Sequence, residues 1–300
     1  MHDFFLSFYS LIPTTVAQSL IYAFVALGLM IPFRLLDLPD LTCEGSFPLG
    51  GCMFAASAAA GLSPTAGTAA AVIIGFAAGV CTAYIHLKFR IHTLLAGIIL
   101  FTIVWSVDLR VMGRPNIPVD ANSTLFGAIN PSLVNDIVFQ MAVTAIFLGG
   151  GVLALDRGLR TEVGLRFRCV GTNQRLSPAL GINLRRNVLV GFGIANALVA
   201  LGGALAAQAQ GYADVTMGFG ILINGLAALI IGETLIGTRT IGRQLLAPVV
   251  GSLIYYQLIS AALATGIGPS DLKLATGLFV LLTLAAPVAF ESRARRFANS

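Results

Sequence analysis

From Gly45 to Leu87 the sequence runs without a single Asp, Glu, Lys or Arg. As one helix that run would be about 65 Å long at 1.5 Å per residue, roughly twice the ~30 Å hydrocarbon core of a bilayer. It has to fold back on itself, and Leu62-Ser63-Pro64-Thr65 supplies the turn. Two spans are therefore expected, at 46–61 and 66–87. The rest of the chain agrees with a membrane solvent. It is 57% hydrophobic and 10% charged, with a mean hydropathy of +0.88, whereas a soluble domain carries about a quarter charged residues. Further apolar stretches of about 20 residues predict spans at 14–33, 92–112, 135–156, 187–208, 218–237, 244–265 and 272–290. The expected architecture is an all-α, polytopic membrane helix bundle of about nine spans, forming one transmembrane domain over 1–300.

The basic residues orient that bundle. One side carries Arg34, Lys88, Arg90, Arg157, Arg160, Arg166, Arg168, Arg175, Arg185, Arg186, Arg239, Arg243, Arg293, Arg295 and Arg296, and the other only Arg110, Arg114 and Lys273. Positive charge stays inside, so the richer side and the C-terminus are expected in the cytoplasm, and the N-terminus outside. The first apolar run lacks a basic leader and a small-residue cleavage site and reads as a retained helix.

Several functions fall away. The net charge of +5 sits in short gaps between apolar runs, not on a basic face with interleaved aromatics, so nucleic-acid binding is not indicated. Cys43, Cys52, Cys81 and Cys169 form no CxxC pair, and His2, His86 and His92 have no ligand spacing, so no metal is expected. There is no GxxxxGK[ST] loop for nucleotide phosphates, and no Ser-His-Asp or paired-carboxylate constellation. The chain is not expected to be an enzyme. Most of the glycines read as helix-packing residues; Gly149-Gly150-Gly151, Gly202-Gly203 and the Ala-rich run 55–60 are the candidates for close approach.

The longest stretch on the basic side, 157–186, is too long for a turn and too polar to span. Gly171 and Gly181 bracket a segment able to form a short helix, capped by Thr172 or Asn173 and shortened or bent by Pro178. The plain alternative is a basic loop held near anionic lipid.

Here the chain resembles a family. The run Val170-Gly171-Thr172-Asn173 through Gly181-Ile182-Asn183, with the Gly/Ala-rich span from Gly191-Phe192 to Gly202-Gly203-Ala204-Leu205, is similar to ABC importer permeases for branched-chain amino acids and ribose. Asp40-Leu41-Thr42-Cys43-Glu44-Gly45-Ser46 is similar to the Asp-Leu-Ser-type motif of the sugar permeases, and Gly225 to Glu233 with Gly237 and Gly242 to their late Gly/Ala-rich span. The Asp-Leu-Thr-x-Glu-Gly-Ser-Phe form matches a subgroup linked to uptake of aromatic amino acids or similar small solutes.

The resemblance implies a type II-like importer permease in a bacterial cytoplasmic membrane. It implies two ATP-binding subunits holding ATP and Mg, no cofactor in this chain, a second permease chain, and a periplasmic or lipoprotein solute-binding protein. It also implies that 157–186 is a coupling loop, with Gly171, Thr172, Asn173, Gln174, Arg175, Leu176, Leu180, Gly181, Ile182 and Asn183 against the ATPase. Gln174-Arg175-Leu176-Ser177-Pro178 stands where many relatives have alanines, which bears on the length of any coupling helix.

Two strings look alike, Asp40-Leu41-Thr42-Cys43-Glu44-Gly45-Ser46-Phe47 and Asp214-Val215-Thr216-Met217-Gly218-Phe219. Each precedes a Gly/Ala-rich span, and the charge count puts them at opposite faces. An inverted repeat would do this; chance among Gly-rich segments is the alternative. A pathway between two such halves would draw on Asp40, Glu44, Asn196 and Asn224, although intramembrane polar groups more often bridge helices, and Asp40 and Glu44 could simply be solvated. A rival reading, an ion-coupled secondary transporter or channel, would place an ionisable residue mid-span. By this reading mid-span acids are absent, which favours the ATP-driven class.

Overall fold

The computed structural model describes residues 2–134, 136–174, 176–265, 274, 277, 278 and 281, with side chains from residue 8 onward. Helix α1 (His2–Met30) runs on into a π-helical turn, Ile31–Leu35. There follow α2 (Cys43–Ala59), α3 (Pro64–Phe89), α4 (Thr93–Met112), strand β1 (Asn116–Pro118), a short α5 (Leu125–Ile129), α6 (Ile137–Arg160), α7 (Glu162–Thr172), α8 (Leu184–Gln210), strand β2 (Tyr212–Asp214), α9 (Ile221–Ile236) and α10 (Ile241–Ala264). Among the described residues seven helical segments are long and apolar enough to cross a membrane. The chain is a multi-pass membrane protein. The expected span 46–61 corresponds to α2, which is shorter at 17 residues and packed among α3, α4 and α8. Apart from residues 274, 277, 278 and 281, the expected span 272–290 lies outside the described residues, with Lys273, Arg293, Arg295 and Arg296.

Local chemistry sets the helix ends. Ser63 accepts the Ala66 amide ahead of α3, with Pro64 in the first turn, where its missing N–H costs nothing. Asn183 caps α8 by accepting the Arg186 amide at 3.0 Å. Gly113 and Gly211 close α4 and α8 in the left-handed conformation, at φ 69° and 76°, which glycine adopts without penalty.

Helices α1, α2 and α8 form the centre. Phe24, Phe47 and Phe192 are fully enclosed there. Backbones touch where glycine allows it. A Cβ on Gly203 would stand 1.9 Å from the Phe47 carbonyl oxygen, and one on Gly79 2.1 Å from that of Phe192. The expectation of close approach holds for Gly202-Gly203. It does not hold within this chain for Gly149 and Gly150, which face open space, while Gly151 meets only the Phe24 ring edge.

The arrangement is reciprocal. Helix α3 packs antiparallel on α8, with Thr68 near Gln208 and Gly79 near Phe192. Helix α10 packs antiparallel on α1: Ser252 donates to the Ser19 carbonyl and Gln257 to Thr15. At the arginine-poor end β1 and β2 pair antiparallel, Asn116 opposite Asp214 and Pro118 opposite Tyr212.

The basic segment departs from expectation. Its helix lies earlier, at α7, capped by Thr161, which accepts the Val163 amide. Glu162 adds a first-turn acid, favourable at a helix N-terminus, and an i,i+4 pair with Arg166. No helix starts at Thr172 or Asn173. Thr172 is the last residue of α7, and the Asn173 side chain accepts the Leu176 amide at 3.0 Å, which makes a turn. Among the described residues between Gly171 and Gly181 only one 3-10 turn forms, Ser177–Leu180, with Pro178 in its first turn and Gly181 left-handed at φ 74°. Pro178 therefore opens a turn and bends nothing. Arg175 lies outside the described residues.

Candidate functional site

The polar chemistry of the bundle gathers where helices break. After Leu35 the chain leaves helical geometry. The Leu36 amide reaches the Ile31 carbonyl at 3.1 Å and the Leu38 amide reaches that of Pro32 at 2.9 Å. Asp37 takes the left-handed conformation, φ 53°, which Asp tolerates. Asp40 then ends the break. One carboxylate oxygen accepts the Thr42 amide at 2.8 Å and the other accepts Asn196 Nδ2 at 2.7 Å.

That contact extends into a buried network. Asn196 also donates to the Phe192 carbonyl at 3.0 Å and accepts from Ser46 Oγ at 2.7 Å. Thr42 and Thr82 hydroxyls meet at 2.7 Å. Asp40, Thr42, Ser46, Thr82 and Asn196 are all at most 1% exposed. The structure thus joins two of the sequence candidates, Asp40 and Asn196, in one cluster tying α2 to α3 and α8. Thr82 is a member that no sequence pattern announces. Burying these groups is tolerable because nearly every polar atom finds a partner.

A second break precedes α9. Asp214 accepts the Thr216 amide at 2.7 Å and its hydroxyl at 2.6 Å on one oxygen, and Asn116 at 3.1 Å on the other. Burial works against its ionisation, but these hydrogen bonds outweigh it and hold the carboxyl below the ordinary value of 3.8. The two breaks meet. A Cβ on Gly218 would lie 2.0 Å from the Glu44 carbonyl oxygen, and the Gly220 amide is directed at the Glu44 carboxyl. Phe219 joins Phe101 and Trp105 of α4 in an aromatic cluster, with centroids 5.1 Å (Trp105–Phe219) to 6.1 Å (Phe101–Trp105) apart.

The arginine-rich end carries a different set of groups. Arg34, in the π turn, holds Glu233 of α9 through both oxygens, Nε at 2.9 Å. Beside this pair opens a cavity of about 650 Å³ lined by Arg34, Asp37, Arg168, Arg239 and Gln244 among others. Gly171 forms part of its wall and sits flat on the π turn: a Cβ there would be 2.2 Å from the Leu35 carbonyl oxygen. Beyond it, Leu176 and Leu180 point outward, 55% and 62% exposed. Gln174, Ile182 and Asn183 complete the segment up to α8.

Asn224 stands apart from the Asp40 cluster. Its side-chain oxygen accepts Tyr255 Oη at 2.8 Å, beside stacked Tyr22 and Tyr256 whose centroids are 4.8 Å apart. Gln208 bridges α8 to α3 through Thr68 and to α5 through the Leu125 amide, at 3.3 and 2.8 Å. One acid was overlooked. Asp108 lies inside α4, 1% exposed, and among the described residues no donor reaches either oxygen. It stands toward the C-terminal end of α4, and the expectation of no mid-span acid took no account of it. The signal was plain: an Asp inside the apolar run 92–112. Among the described residues no group of His, Cys, Asp and Glu is arranged to hold a metal ion.

Residues 11–287 match the family described as branched-chain amino acid transport system, permease component. A tyrosine transport system permease protein of Clostridioides difficile (strain R20291) is 38% identical, over 91% of this chain and 90% of its own length. An uncharacterized protein of Rickettsia prowazekii (strain Madrid E) is 34% identical, over 91% and 96%. The ribose import permease protein of Escherichia coli (strain K12) is 24% identical, over 82% and 80%. Among solved structures, one described as an inward-facing conformation of a metal-chelate type ABC transporter superposes with a TM-score of 0.52 at 16% identity. It covers 92% of this chain and 86% of that one, and at that identity the likeness speaks for the fold. The match spans nearly the whole bundle, both helix breaks included, and the chain belongs to the branched-chain amino acid transport system permease family, as the permease component of an ABC transporter.

Proposed function

We propose that the chain is the membrane-spanning subunit of an ATP-driven importer for an amino acid or a related small solute. It works with two ATP-binding subunits that hold ATP and Mg, a second permease chain and an external solute-binding protein. The tyrosine permease of C. difficile supports the solute class. The arginine-rich end faces the cytoplasm of a bacterial inner membrane, the C-terminus with it, because positive charge is retained inside. The ion-coupled alternative is not favoured by the family match.

Gly171–Asn183 is read as the contact with the ATPase. The observation that carries this is the pair of outward-facing leucines, Leu176 and Leu180, at the two ends of the 3-10 turn at the arginine-rich end. Two large apolar side chains presented together to water are suited to burial in a groove on a partner. Thr172, Asn173 and Gly181 shape that turn, and Gln174 and Arg175 flank it. Leu180→Asp with Leu176→Asp is expected to release the ATPase, or to abolish solute-stimulated ATP hydrolysis in liposomes, while the permease still inserts. Normal co-purification and normal stimulation would move the contact elsewhere.

Inverted repeats belong to the same reading. Both breaks carry an Asp accepting the amide of a Thr two residues on. Both lead into a short helix, α2 or α9. The partners are exchanged: α3 lies on α8, and α10 on α1. The solute path is proposed to pass the junction of the two halves along Glu44, with Asp40 and Asn196 as its buried support and Asn224 deeper in the second half. Nine spans, the ninth at 272–290, complete the scheme.

A further inference from the structure

Glu44 is a carboxylate level with the middle of α4. It opens α2, and the neighbouring Gly45 packs on Phe101, near the middle of the 20-residue α4. Its carboxyl meets the start of α9, a 16-residue helix that begins at the same level. Glu44 is only half-buried, and none of the ion pairs among the described residues involves it. A carboxylate at the bilayer centre costs roughly 3 kcal/mol or more against lipid. The face that bears it therefore meets water or protein.

The neighbours of Glu44 define what it suits. Phe101 packs on Gly45, the next residue, and Phe219 precedes Gly220, whose amide is directed at the Glu44 carboxyl; with Trp105 these rings pack edge to face and tilted on one another. Phe219 leaves 53% of its surface open. A carboxylate framed by aromatic rings attracts an ammonium group twice, by charge and by the ring faces. The same rings stack on a flat apolar body.

We propose that Glu44, Phe101, Trp105 and Phe219 form a recognition point in the solute path, selective for solutes that carry an ammonium group beside a flat apolar portion. This rests on the reading of the chain as an importer permease.

The test labels Phe219→Cys, with Glu44 intact, in an otherwise cysteine-free chain assembled with its ATPase in liposomes. The reagent is a water-soluble, membrane-impermeant methanethiosulfonate. Ile146→Cys, on the 74% exposed outer face of α6, is the lipid-facing control. The cysteine at 219 is expected to react and the one at 146 not to. Tyramine and L-tyrosine should slow the reaction at 219, and 3-(4-hydroxyphenyl)propanoate, which lacks the amine, should not. Adding Glu44→Gln should raise the tyramine concentration needed about tenfold, the equivalent of ~1.4 kcal/mol, and Glu44→Asp should recover most of it. Equal protection by the deaminated compound, no protection by any of the three, or protection unchanged in Glu44→Gln would overturn the proposal. So would a cysteine at 219 that reacts only with a lipid-soluble maleimide. ATPase co-purification in the same preparation judges the importer reading separately.

Discussion

The two helix breaks share a turn and differ in what surrounds it. At Asp40 the carboxylate is sealed in the core, and its second oxygen is held by Asn196 from a distant helix. At Asp214 the carboxylate is partly open, and its second oxygen is held by Asn116 from a short strand pair at the arginine-poor end. One motif therefore serves two ends. In the core a hydrogen bond cannot be replaced by water, so each partner is obligatory. At the edge, water can step in, and the same turn is cheap to disturb.

That contrast ranks the consequences of mutation. Asn196→Ala should be the most damaging. It strands a buried Asp40 oxygen and the Ser46 hydroxyl and leaves a void, at about 4 kcal/mol. Detergent-solubilised protein should melt well below wild type, and a melting point within error of wild type would break the distinction. Asp40→Ala should cost somewhat less, about 3 kcal/mol, since the charge leaves along with its hydrogen bonds. Asp40→Asn, which keeps an oxygen for the Thr42 amide, should recover part of the loss in the same assay. Asp214→Ala should cost only about 1 kcal/mol, the usual value of a lost capping acceptor. Its pH dependence has a definite sign. The folded carboxyl is held below the ordinary value of 3.8, so its contribution is complete above that value and is lost as pH falls through the lowered one. Wild type and Asp214→Ala should converge in stability in strong acid and stay apart at neutral pH. A constant gap down to strong acid would remove the carboxylate from the account.

The same contrast explains how much could be read in advance. The multi-pass membrane helices follow from hydropathy, which is a local property of the chain. Asp40 announced itself by standing before an uncharged run. Asn196 and Asn224 did so as amides inside apolar spans. That Asp40 meets Asn196 while Asn224 meets Tyr255 depends on helix packing, which no local pattern encodes. Thr82 is invisible for the same reason: a threonine in an apolar helix usually bonds its own backbone, as Thr82 also does with Ala78. Asp108 was legible and overlooked. The misplaced helix at 171–183 had a cure in plain sight, since Thr161-Glu162 is a better helix start than Thr172-Asn173.

Gly171 lies backbone to backbone on Leu35. A side chain between two segments is a spring: it can change rotamer and absorb a push. Here there is none, and a packed interior hardly compresses. If that turn is the contact with the ATPase, a load on Leu176 and Leu180 would reach the π turn, a few residues from Asp40, with little lost travel. The linkage would then act as a pushrod without play, its stiffness owed to the absence of a single methyl group.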